Sequence, residues 1–239
     1  MAAPATTIAN KPQHWLWQAL TSTLGRKLIM ALTGIFLILF LVVHLIGNLQ
    51  LLKGDNGEAF NKYAYFMGHN PLIQTISWGN FSFILLHLFI GLALFIKNKA
   101  SRPERYVYNN KSKVLSLSSK YMMLLGTIIL VFLAGHLAQF WAKSKTGGLA
   151  SIAYEGKEYH DLYTVTVDAF ASPLIVGLYV FAMIALAYHL WHGFWSAFQT
   201  LGLQHKKYSP LIKLVGMAYS VVIPALYAYI PLMMYFKPW

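Results

Sequence analysis

The chain has 239 residues, 57% of them apolar and 11% charged, with positive mean hydropathy. That composition excludes an ordinary soluble domain and implies a polytopic membrane protein. Cysteine is absent, which excludes disulfides, cysteine-ligated iron–sulfur clusters and covalent c-type haem within the chain.

The apolar material lies in blocks. No charged residue occurs between Lys27 and Lys53, Lys62 and Lys97, Lys120 and Lys143, Asp168 and Lys206, or Lys213 and Lys237. Each gap holds the ~20 residues that a helix needs to cross a ~30 Å hydrocarbon core. The fold class expected is therefore an all-α membrane protein, a five-transmembrane-helix bundle forming a single transmembrane domain over 1–239.

Residues 1–25 lack the apolar core of a cleaved secretion signal, so the first long apolar run is expected to stay as helix I, about 26–50. Residues 57–68 read as a short interfacial helix, with Phe60, Tyr63, Tyr65 and Phe66 suited to the headgroup level. Asn70-Pro71 is a stop-and-start signal, and helix II follows over about 72–96. The serines at 116–119 are placed to cap helix III, about 119–142. The connection 143–168 begins Thr146-Gly147-Gly148 and carries mixed charges, which predicts a solvent-exposed loop. Ser172-Pro173 predicts the start of helix IV, about 172–200, and Gly202 its stop. Helix V, about 211–235, contains Pro224 and Pro231, which predict a kink.

The net charge of +12 does not mark a nucleic-acid partner, because the cations are sorted by side. Thirteen of the nineteen Lys and Arg fall in the N-terminal segment and in the 97–120 and 201–213 connections, with Glu104 as their one acid. The positive-inside rule then predicts a cytoplasmic N-terminus and a C-terminus outside. These cations also suit anionic lipid headgroups or a cytoplasmic partner.

Four histidines decide the functional reading. His44, His87, His136 and His189 each lie deep in a different span. Ionisable groups at that depth are costly and persist with a partner or a function, and imidazole is a common ligand of haem iron. His44 and His136 lie roughly 10–14 Å from the outer ends of helices I and III, at 1.5 Å rise per residue. His87 and His189 lie about 15 Å from the inner ends of helices II and IV. Depth therefore sorts them into an outer pair, His44 with His136, and an inner pair, His87 with His189. Two stacked bis-histidine haems need that arrangement. Gly34, Gly47, Gly91, Gly126, Gly135 and Gly193 are placed to leave room for a flat cofactor, or equally for close helix packing. His192, three residues after His189, competes with it as a ligand.

The motifs Ala31-Leu-Thr-Gly-Ile-Phe36 followed by His44, Gly126 ten residues before His136, and His189-Leu-Trp-His-Gly193 followed by Ser196 and Thr200-Leu-Gly202 carry a resemblance. The chain resembles the cytochrome b558 subunit, the dihaem membrane anchor of B-type succinate:quinone oxidoreductases, which include succinate dehydrogenases and fumarate reductases. The resemblance implies two haem b groups, His87/His189 on the proximal one and His44/His136 on the distal one. It selects His189 over His192, because the family ligand precedes a glycine by four. It also implies a bacterial cytoplasmic membrane, menaquinone as the quinone, and two cytoplasmic partners, a flavoprotein with FAD and an iron–sulfur subunit. Dicarboxylate chemistry would lie on those partners. Some dihaem fumarate reductases carry a helix IV glutamate two residues before the ligand; Ala187 stands there, so that proton route is not carried over.

Ser22 and Arg26 have the i, i+4 spacing seen in quinone sites of related anchors; a helix cap and a topology anchor explain them equally well. Two other readings remain. One is a dihaem b subunit of another respiratory complex, such as nitrate reductase or formate dehydrogenase, where ligands concentrate on fewer helices. The other is a transporter using a histidine proton relay, which would normally add membrane carboxylates or broken helices.

Overall fold

A computed structural model describes residues 14–101 and 120–237. Five helices in it are long and apolar enough to cross a membrane. The described chain begins with α1 (Trp15–Thr21) and α2 (Thr23–Asn48), the second continued by a 3₁₀ turn over Leu49–Leu52. Then come α3 (Glu58–His69) and α4 (Pro71–Ala100). After the undescribed residues, α5 (Met122–His136) runs on through a π-helical stretch, Leu137–Ala142, and a last turn, Lys143–Lys145. A hairpin of β1 (Ser151–Tyr154) and β2 (Lys157–His160) precedes α6 (Leu162–Phe170), α7 (Pro173–Thr200) and α8 (Ser209–Phe236). Helices I to V of the sequence are α2, α4, α5, α7 and α8.

Local chemistry sets most of these boundaries. The Ser22 hydroxyl accepts from the Gly25 amide at 2.9 Å and donates to the Ala19 carbonyl at 2.6 Å, so one side chain ends α1 and begins α2. The Asn70 carboxamide oxygen accepts from the Leu72 and Ile73 amides, with Pro71 at the first helical position of α4. Gly202, at φ 72°, stands just past α7, where a left-handed residue ends a helix. The α8 helix continues through Pro224 and Pro231, and both are buried. The serine run at 116–119 lies outside the described residues.

Helices α2 and α7 form the centre of the bundle. Helix α4 packs on α2, α5 packs on α7, and α8 packs on both central helices. Two tyrosines fasten α8 to α2: Tyr219 donates to the Ile38 carbonyl at 2.5 Å and Tyr227 to the Leu41 carbonyl at 2.6 Å. The apolar cluster Leu45, Leu51, Phe60, Tyr163, Phe170, Val176, Ile230 and Met234 closes one end of the bundle.

The structure departs from the sequence reading in three ways. Phe60 is buried in the cluster rather than lying at a headgroup surface. The 143–168 connection is not an open loop: it folds into the hairpin and the half-buried helix α6, with Tyr163, Thr166, Ala169 and Phe170 inside. Glu155 and Gly156 both take positive φ, the geometry of a two-residue hairpin turn. Finally, the segment before helix I contains α1, whose Trp15 and Trp17 are exposed, as interfacial aromatics are.

Asn61 ties the cap together. Its amide nitrogen donates to Tyr154 Oη and Asp161 Oδ1, each at 3.2 Å, and its oxygen accepts from the Leu162 and Tyr163 amides at 3.1 and 3.0 Å. All four bonds reach residues about a hundred positions away, and Asn61 is 1% exposed. Lys62 adds ion pairs to Glu58 and, on the hairpin, Glu155. Lys157 lies 4.2 Å over the Tyr65 ring. At Asp161, burial pulls the carboxyl pKa up, but hydrogen bonds from Thr164, Asn61 and the Tyr163 amide outweigh it and hold it below the ordinary value. A depressed carboxyl stabilises the fold above its ordinary pKa, and that contribution fades as pH falls through the lowered one.

Asn61→Leu leaves two buried backbone amides without an acceptor, so it should destabilise the cap by about 2–3 kcal/mol. Thermal unfolding in detergent, with proteolysis of the 151–160 hairpin as the local readout, checks this; an unchanged transition and unchanged cleavage would refute it.

Candidate metal centres

The fold brings the four span histidines together as two pairs. The His44 and His136 rings have centroids 5.8 Å apart and planes at 87°. The His87 and His189 rings lie 6.3 Å apart at 62°. These are the pairs expected from depth. Each joins helices that are not extensive packing partners, α2 with α5 and α4 with α7, so both pairs face inward across the bundle. His44 lies one turn before the end of α2, and His136 is the last residue of α5, both at the closed end. His87 and His189 each lie sixteen residues beyond the start of their helices. Thr33, which bonds His87, precedes His44 by eleven residues on α2, which puts about 16 Å between the pairs along the bundle.

These separations fit a metal held from both sides. Two imidazoles on opposite faces of one metal, with bonds of about 2.0 Å, hold their ring centroids roughly 6 Å apart. Among the described residues no three or more His, Asp or Glu side chains converge. Each pair therefore offers two ligands, the number haem iron takes axially.

Hydrogen bonding fixes two of the tautomers. The Thr33 hydroxyl donates to the Ile29 carbonyl at 2.8 Å, and its oxygen lies 3.1 Å from His87 Nδ1. With its own proton committed, Thr33 accepts from Nδ1–H, which leaves the His87 Nε2 lone pair free. The same logic holds at the other pair. Tyr179 Oη donates to Gln139 Oε1 at 3.1 Å and accepts from His136 Nδ1 at 3.2 Å. A ring nitrogen committed as donor leaves the opposite nitrogen as a ligand.

The other two histidines differ. His189 Nδ1 is buried and has no hydrogen-bond partner among the described residues. An orphaned polar atom of that kind costs about 1–3 kcal/mol and asks for a further group. At His44, the Asn48 amide approaches Nε2 at 3.4 Å while making its stronger bond, 2.7 Å, to the His44 carbonyl. A metal at Nε2 would displace only the weaker contact.

The surroundings of the pairs are unequal. Phe40 stacks on His44 and Phe132 on His136, while Tyr227, Phe140 and Tyr179 rings stand around them. At the other pair, a side chain at Gly34 would meet the His87 ring at 3.5 Å, and one at Gly126 the His189 ring at 4.0 Å. Those two glycines give room beside imidazoles. Gly47 and Gly91 instead pack against Tyr63 and Met30, and Gly135 and Gly193 have open space beside them. His192 lines a cleft between α7 and α8, with Trp191, Trp195 and Lys213. The hydroxyl of Ser22 is fully used as a cap; Arg26, one turn later, donates its amide to the Ser22 carbonyl.

Three features escaped the sequence reading. Tyr179 and Gln139 carry no motif, and Gln139 lies in the π-helical stretch after His136. Asn80 is buried in α4, and its carboxamide oxygen has no partner among the described residues; an amide inside a charge-free span was its available signal.

Because the chain has no native cysteine, the pairing can be tested directly. His87→Cys with His189→Cys should cross-link with a short bifunctional thiol reagent. His44→Cys with His189→Cys should not. Equal cross-linking of both combinations would overturn the pairing.

No family model matches the chain, and no solved structure matches it. Among curated proteins it is similar to the succinate dehydrogenase cytochrome b558 subunit of Bacillus subtilis (strain 168). The two are 23% identical over 200 residues, which cover 80% of this chain and 89% of that protein. This multi-pass membrane chain is thus similar, along most of its length, to the kind of subunit that its helix I and helix IV motifs resemble.

Proposed function

We propose that this chain is the dihaem cytochrome b membrane anchor of a bacterial succinate:quinone oxidoreductase, passing electrons between an iron–sulfur subunit and menaquinone. The observation that carries the reading is the pairing of four span histidines, one per helix, at metal-bridging separation in two places. The similarity to a succinate dehydrogenase cytochrome b558 subunit supports the same complex. Bound haem b supplies one-electron carriage at two depths. His87 and His189 are the ligands of the proximal haem and His44 and His136 those of the distal one.

The residues themselves bind, orient and exclude water. Thr33 and Tyr179 hold two ligand rings in one tautomer. The aromatic groups around His44 and His136, together with the closed apolar end, keep water from the distal pair. The cation-rich side, cytoplasmic by the positive-inside rule, faces the flavoprotein and iron–sulfur subunits, which hold FAD and the clusters. Arg26 is the quinone-contacting donor we assign at the start of α2, three residues after Thr23, whose hydroxyl Lys97 bonds at 2.6 Å. Ser22 at that site acts by setting the helix start.

The pattern of histidine substitutions tests the centres. Haem per complex should halve in His44→Ala, His136→Ala, His87→Ala and His189→Ala, whereas His192→Ala should keep both haems. A dithionite-reduced difference spectrum reads this. Absence of a b-type α-band in the native protein would remove the reading altogether.

Docking gives a separate test. Charge reversal at Arg102 and Arg105, which lie outside the described residues, should weaken attachment of the iron–sulfur subunit and slow succinate-driven haem reduction at constant haem content. A cross-link from that partner to the 143–168 segment would reverse the assigned orientation.

A further inference from the structure

The hydroxyl of Tyr179 lies between two groups that fix its direction. Gln139 presents a carboxamide oxygen, which only accepts, at 3.1 Å. His136 presents Nδ1 at 3.2 Å on the other side. The phenolic proton goes to Gln139, so the phenolic oxygen receives the proton of His136 Nδ1. The Tyr179 ring is itself wedged edge-on by Phe132 at 4.8 Å and Phe170 at 5.0 Å. It therefore cannot swing aside without opening the packed end of the bundle. Gln139 is only three residues past His136 and lies in the π-helical stretch Leu137–Ala142. A π-turn inserts an extra residue per turn and re-aims the side chains after it, and such turns recur at functional sites.

Resting on the haem reading above, we propose that Tyr179 and Gln139 are the positioning residues of the distal centre. They lock His136 as the Nδ1–H tautomer, with its Nε2 lone pair turned to the metal and its ring made more basic. Thr33 does the same for His87 at the proximal centre, through a hydroxyl whose proton is committed to the Ile29 carbonyl. The two centres are thus tuned by different residues on different helices, and each can be perturbed alone.

The sign of the effect follows from the direction of the bond. An acceptor on Nδ1–H raises imidazole basicity and favours the oxidised metal. Removing the acceptor should raise the reduction potential of the haem concerned. The experiment is a redox titration of the reduced α-band in the intact complex, with low-spin electron paramagnetic resonance of each haem. Tyr179→Phe should shift the distal component upward and change its resonance, leaving the proximal one in place. Gln139→Leu should produce a smaller shift of the same sign, because the Tyr179 oxygen stays as acceptor but loses its fixed direction. Thr33→Val should move the proximal component alone.

Unchanged potentials and spectra in Tyr179→Phe and Gln139→Leu, in a protein that loses one haem on His136→Ala, would overturn the positioning role while leaving the haem reading intact. Equal shifts of both components in Tyr179→Phe would overturn it too, as a general loosening of the bundle. A native protein lacking the α-band would instead remove the underlying reading.

Discussion

An imidazole inside a bilayer has one proton to give and one lone pair to satisfy, and no water to take either. That constraint organises this molecule. The four span histidines are not scattered through the bundle but meet in two pairs. At His87 and His136 the protein itself takes the proton, through Thr33 and Tyr179. At His189 the buried Nδ1 has no partner among the described residues. The ring centroids of the two pairs lie 5.8 and 6.3 Å apart. A proton relay would also want a carboxylate close by, and none of the five spans contains one.

The five spans and the two pairs were legible in the sequence because both follow from one-dimensional rules. Charge-free length gives a span, and residue count from its end gives a depth, so His44 could be matched with His136 before any contact was known. His192 shows where counting stops. Three residues from His189 is nearly one turn, and only packing turns its ring into the α7/α8 cleft. Asn61 shows another limit: its four partners lie on the hairpin and α6, about a hundred residues away. The polar 143–168 segment looked open because side-chain polarity reads the same whether it faces water or a buried amide. Glycine was ambiguous throughout, and the fold divides the six, with Gly34 and Gly126 beside histidines and Gly47 and Gly91 in ordinary helix packing.

The two ends of the bundle differ in how they are held. At the closed end, α3, the hairpin and α6 bring a continuous apolar cluster, a fully satisfied asparagine and ion pairs onto the helix termini. Away from it, α4 buries only Asn80 among its described side chains, and α5 buries none. Those helices each pack on one central helix, α4 on α2 and α5 on α7, and leave much of their surface exposed. Their apolar faces meet lipid, where burying them against another helix gains little, and their inward faces carry His87 and His136.

From this follows a division of labour between the central and the peripheral helices. α2 and α7 are fixed by one another and by α8, whose two tyrosines reach α2 backbone carbonyls on the turns just before His44. Each central helix supplies one histidine and also the residue that orients a histidine on a peripheral helix: Thr33 of α2 for His87 of α4, and Tyr179 of α7 for His136 of α5. The rigid core thus presents His44 and His189 directly and reaches outward to set the other two. In this arrangement the residues that orient the histidines of α4 and α5 are the same residues by which the central helices reach those helices.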